Sequence, residues 1–142
     1  MRNLVLITVF LGLLSVSCTT KETKQVQTTR YPNEDAPLAL LMRAMFEDME
    51  EIKDAVEKGN SIKSYLSKHR ELLTARPTNP NVKTVTFELM GNAYLESLDL
   101  MEKSSEEELI SNYKMLVETC LACHQQYCPG PIKRINLLNL PL

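Results

Sequence analysis

The sequence predicts an all-α protein, an antiparallel four-helix bundle. Three observations carry that prediction. Apolar residues recur at alternating steps of four and three along separate stretches, the seam pattern of packed helices. The composition favours helix, with 4 Gly, no Trp, 7 Met and abundant Leu, Glu and Lys among 142 residues. The stretches are joined by short breaks, most of them marked by Gly-Asn or proline, so consecutive helices fold back on one another in an up-down-up-down order.

The first helix is expected over 37–58. Asp35 or Ala36 stands near its cap, Pro37 suits its first turn, and Leu38, Met42, Met45, Met49, Ile52 and Val56 form its seam. Gly59-Asn60 stops it. A shorter second helix is expected over 61–75, with Ile62, Leu66, His69 and Leu73 on the seam and Tyr65 and Leu72 beside it. Arg76-Pro77-Thr78-Asn79-Pro80 then forces a loop. The third helix is expected over 82–103 on a stripe of Phe87, Met90, Tyr94, Leu98 and Met101, although Thr84, Val85 and Thr86 are β-branched and weaken its first turn. The fourth opens at Ser105, with Glu108 completing a capping-box pattern and Glu106 and Glu107 suiting the positive end of the helix dipole. Its seam is Leu109, Tyr113, Leu116, Cys120, Cys123 and Tyr127, and Pro129-Gly130-Pro131 ends it. An apolar tail, 132–142, is expected to lie back over the bundle end.

The residues ahead of the bundle divide in two. Residues 1–17 hold a basic start at Arg2, an apolar run from Leu4 to Leu14 and the small residues Ser15, Val16 and Ser17, the proportions of an export signal rather than a membrane span. Cys18 follows at once, and this arrangement resembles a bacterial lipoprotein signal, which implies lipidation of Cys18 and a membrane anchor. Ser15 departs from the usual leucine there, so cleavage as an ordinary secretory signal stays open. Residues 18–36, polar and rich in Thr, Lys and Gln, read as a flexible tether. Residues 37–142 form the domain. Hydrophobic residues make up 44 % of the chain, enough for one core, and 16 basic against 18 acidic residues give no reason to expect nucleic acid as a partner.

The chemistry concentrates in Cys120-Leu121-Ala122-Cys123-His124. C-x-x-C-H is the attachment signature of a c-type haem, in which two thiols bond to the porphyrin and the histidine reaches the iron. On a helix, positions i, i+3 and i+4 share a face, so both sulfurs and the imidazole can meet one flat macrocycle. The expected cofactor is one covalent haem c, with His124 as proximal ligand. Export agrees with this, since haem is attached outside the cytoplasm. Cys128 has no evident partner among the 4 cysteines.

Four helices with this motif in the last one resemble the class II c-type cytochromes, cytochrome c-prime and its low-spin relatives. The likeness covers residues 37–128, and the haem motif is its specific part. It implies a haem inside one end of the bundle, with a distal side formed by the first helix. There a Met binds the iron in low-spin members, and an apolar residue stands in high-spin ones. The chain departs from the family at Cys128, where a basic residue usually follows the haem histidine by four places, and at Pro129-Gly130-Pro131, where the family often continues with lysines.

Helix geometry narrows the distal ligand. In an antiparallel bundle the start of the first helix is level with the end of the fourth. His124 lies about 6 Å from its helix end, Met42 roughly 7 Å into the first helix and Met45 about 12 Å, at 1.5 Å per residue. Met42 is therefore the first candidate and Met45 the second, with core filling as the alternative for each. His69, near the same end, is either a bis-histidine ligand or a seam histidine held by hydrogen bonds. Phe87 and Tyr94 are expected to pack against the porphyrin, and Arg43 and Arg70 to meet propionates or water.

These residues point to single-electron transfer with redox partner proteins of the cell envelope, on the periplasmic side of a membrane that holds the lipid; a homodimer is compatible with the pattern. Small-gas binding at an open sixth position is the alternative. A structural zinc site from Cys120, Cys123, His124 and Cys128 is a third reading, although four donors on one helix crowd a single side. A dithiol redox role lacks the surrounding βαβ pattern. No nucleophile–base–orienter set or paired carboxylates indicate an enzyme.

Overall fold

The computed structural model describes residues 35–141, and every regular element among them is helical. The signal segment, Cys18 and nearly all of the tether lie outside the described residues. Helix α1 spans Pro37–Lys58, the bounds expected from its pattern. Gly59 closes it at φ 65°, a left-handed conformation open to a residue without Cβ, and donates its N–H to the carbonyl of Val56. The last two tether residues already belong to the fold. Asp35 forms two 2.7 Å bonds with the guanidinium of Arg43, and buried Ala36 caps α1 through its carbonyl.

The expected second helix over 61–75 is not continuous. Only Leu66–His69 is α-helical (α2), and a 3-10 turn, Arg70–Leu73, follows. Competing hydrogen bonds account for the difference. The carboxylate of Glu102 accepts from the N–H groups of Tyr65 and Leu66 and from the Ser64 hydroxyl, so it caps the helix start five residues late. At the other end Lys83 donates its ammonium to the carbonyls of Leu72 and Leu73. Gly91 lets the turn come close, since a Cβ there would stand 2.8 Å from a methyl of Leu73.

Helix α3, Val85–Glu102, begins three residues later than expected because Thr84 acts as its cap, its hydroxyl accepting from the Phe87 N–H at 3.1 Å. Pro80–Val82 forms a separate 3-10 turn. Helix α4 spans Glu106–Tyr127. Its expected capping box is made differently: Ser105 and Glu108 bond side chain to side chain at 3.1 Å, and no side chain caps the backbone. The tail forms a short helix α5, Ile132–Ile135, and a 3-10 turn, Asn136–Leu138.

Contacts between elements give each rod its direction. Residues 63–69 meet α1 at Glu51 and Asp48, and Arg76 meets Leu38, so this segment runs against α1. It also runs against α3, from Glu102 down to Gly91. Tyr127 bonds Thr84 at 2.8 Å, so α4 runs against α3. The tail does not cap the bundle end but runs along α1 and α4. Lys53 donates to the Leu137 carbonyl, Tyr113 to that of Leu138, and Arg134 stacks 4.0 Å from the Phe46 ring centre. Leu98, Tyr113 and Leu116, all without exposure, lie at the centre of the core.

One polar contact runs through this core. His69 is fully buried, with Nε2 2.8 Å from Asp48 of α1 and Nδ1 2.7 Å from the Tyr94 hydroxyl of α3. Lys68 pairs with the same carboxylate at 2.7 Å. Loss of the acceptor would leave a buried ring N–H without a partner. Asp48→Ala is therefore expected to lower stability by about 2–3 kcal/mol in thermal or urea unfolding, and Asp48→Asn, which retains an acceptor oxygen, by clearly less.

Candidate functional site

The last two turns of α4 carry Cys120, Cys123 and His124. The helix holds its geometry through this stretch because the Cys128 N–H still donates to the His124 carbonyl at 3.0 Å; the backbone then turns away at Cys128, ahead of Pro129. The return contact fixes the imidazole. His124 Nδ1 lies 3.0 Å from the carbonyl oxygen of Cys128. A carbonyl only accepts, so Nδ1 carries a proton, and in the neutral ring Nε2 keeps its lone pair. A histidine held by a backbone carbonyl through one nitrogen is oriented to bind a metal through the other.

The three thiols sit in different surroundings. Burial pushes the Cys120 thiol up to about 12, with the neighbouring Cys123 adding to the shift. Burial also raises Cys123; both of these residues are partly exposed, Cys120 packing against the core, and Cys128 stands in solvent. Two thiols one turn apart and an adjacent imidazole with a free Nε2 suit a covalently tethered haem. Cys120 is partly buried and packs against the core, so such a group would lie against the inner face of α4. Among the described residues no three or more His, Cys, Asp or Glu side chains converge to hold a metal ion by themselves.

The walls follow from the antiparallel pairing of α3 and α4. Thr84 faces Tyr127, so Phe87 is level with His124 and Gly91 with Cys120. Phe87 is buried and meets Tyr127 edge to face at 5.5 Å, with the Lys83 ammonium 4.6 Å from its ring centre. On α1, Met42 is half-buried at the edge of the core and Met45 is buried within it. His69 is committed elsewhere: both ring nitrogens are engaged, by Asp48 and Tyr94, which leaves neither for iron. Tyr94 likewise turns its hydroxyl to His69. Arg43 binds Asp35.

Two participants escaped the sequence reading. Asp48 carried a faint signal, a carboxylate between Met45 and Met49 on an apolar stripe. The Cys128 carbonyl carried none, because a backbone oxygen has no residue type. Comparisons with family models, with characterised proteins and with solved structures found no match to this chain.

The thiol environments yield a measurable order. In haem-free protein, iodoacetamide at mildly alkaline pH is expected to label Cys128 first, Cys123 next and Cys120 last, because alkylation needs the thiolate and access to it. Mass spectrometry of timed digests reads the order; equal labelling of Cys120 and Cys128 in the folded protein would contradict the packing of Cys120 against the core.

Proposed function

We propose that the protein is a mono-haem c-type cytochrome of the cell envelope that carries single electrons. On this reading Cys120 and Cys123 hold the haem by thioether bonds and His124 Nε2 binds its iron. The observation that carries it is the orientation of His124. Its Nδ1 is taken by the Cys128 carbonyl, and its Nε2 remains available beside two thiols spaced one turn apart. The group itself would supply a one-electron iron couple.

The chain's own residues do the rest. The Cys128 carbonyl fixes the imidazole tautomer and raises its basicity as a ligand. Met42 is our choice for the distal ligand, with Met45 second. Phe87 and Tyr127, packed edge to face at the level of His124, would form an aromatic wall for the group at that end. The domain is, on this reading, a four-helix bundle of the class II cytochrome type whose second rod is reduced to two short turns. Cys18 carries the lipid anchor, the domain faces the periplasm, and the partners are redox proteins of the envelope. A distal side left open at Met42 would instead suit binding of a small gas.

The test uses protein matured by its exporting host. A covalent haem stain on a denaturing gel is expected for the wild type and is lost in Cys120→Ala/Cys123→Ala. In the ferric protein a near-infrared Met-to-iron band is expected to vanish in Met42→Ala. Its persistence there would move the assignment to Met45, and a high-spin spectrum with fast carbon monoxide binding would favour the gas-binding reading.

A further inference from the structure

Five tyrosines occur in the chain, and four lie among the described residues. Their hydroxyls meet different partners. Tyr65 bonds the exposed Glu51 carboxylate, Tyr113 the Leu138 carbonyl and Tyr127 the Thr84 hydroxyl. Neither a carbonyl nor an alcohol can keep a proton at neutral pH. Tyr94 differs: its hydroxyl lies 2.7 Å from His69 Nδ1, and both side chains are buried.

The tautomer follows from the far side of the ring. The Asp48 carboxylate, paired with Lys68, accepts from Nε2–H at 2.8 Å. Nδ1 is left with its lone pair, so Tyr94 donates to it. We propose that Tyr94 is a proton-coupled redox site, a phenol that gives up one electron to a high-potential one-electron oxidant while its proton moves to His69. In that step the Tyr94 O–H bond breaks and a His69 Nδ1–H bond forms. The electron leaves for the oxidant, and the products are a neutral phenoxyl radical and an imidazolium held by Asp48. Return of the electron brings the proton back along the same 2.7 Å bond.

The surroundings enforce the coupling. Burial, with the nearby Cys120, Asp48 and Glu102, raises Tyr94 well above the ordinary phenol value, which closes the route through a free phenolate. Burial also holds His69 below its usual value, so the ring is neutral and able to accept at rest; Asp48 and Glu102 act upward on it and Lys68 downward. None of the three groups is a proposed iron ligand, so this site does not depend on the haem reading.

Flash-quench oxidation by photogenerated ruthenium(III) trisbipyridine tests the proposal on the full-length, air-oxidised protein. A tyrosyl electron paramagnetic resonance signal is expected in the wild type and lost in Tyr94→Phe, which retains the ring and the other tyrosines. His69→Gln, which can accept the hydrogen bond but not the proton, is expected to form the radical about a hundredfold more slowly, at the low end of what a positioned base contributes. The wild-type rate is expected to fall in deuterated water. An undiminished signal in Tyr94→Phe, a wild-type rate in His69→Gln, or a wild-type rate indifferent to deuterium would each overturn it.

Discussion

The buried contact of Asp48, His69 and Tyr94 ties α1, the broken second segment and α3 into one body. Four α-helical residues are far too few to be stable alone, so the segment holds its shape through what it packs against. A fully buried imidazole with both nitrogens satisfied supplies a directional bond to each neighbour, where apolar contacts alone would let the segment slide. Glu102 at one end and Lys83 at the other complete the fixing from outside the segment. Register between α1 and α3 is thereby set through a third element that lies between them.

That frame determines what the end of α4 can face. With α3 held against the second segment, Phe87 comes level with His124 and closes on Tyr127. The C-terminal residues lie along α1 and α4 after the sharp stop at Pro129-Gly130-Pro131, and buried Ile135 and Leu138 seal that side. Cys120 is consequently packed against the core and partly buried, and Cys128 is exposed, although both cysteines belong to the same short stretch of chain. Four residues beyond His124 this chain places a cysteine whose backbone carbonyl accepts the hydrogen bond of the imidazole Nδ1. The screening of that ring comes from main chain, a role that the side chain at position 128 does not fill.

Much of this was legible in the sequence, and the misses share a cause. The period-3.6 pattern located α1 to the residue and α4 to within one, because those helices bury long continuous stripes. It failed for 61–75, where the apolar spacing was present but Glu102, almost forty residues away, offered the backbone a competing acceptor. Thr84 read as a weak helix former and proved to be a cap, which is what a β-branched hydroxyl does when the chain before it is extended. At the candidate site, the C-x-x-C-H spacing singled out Cys120, Cys123 and His124, and the structure adds the Cys128 carbonyl that orients the imidazole. Met42 and Met45 were legible only as levels on α1; that the first is half-buried and the second buried is settled by the elements packed around them. Asp48 went unread because a lone carboxylate on an apolar stripe declares its partner only when a second element supplies it.

Everything proposed about electron transfer requires that two sulfurs of α4 be consumed by covalent bonds. Protein matured in its native exporting host, then fully denatured and treated with an alkylating reagent, decides this by peptide mass. The account predicts that Cys128 is alkylated while the peptide containing Cys120 and Cys123 carries one haem and no alkyl group. Quantitative alkylation of Cys120 and Cys123 would contradict it.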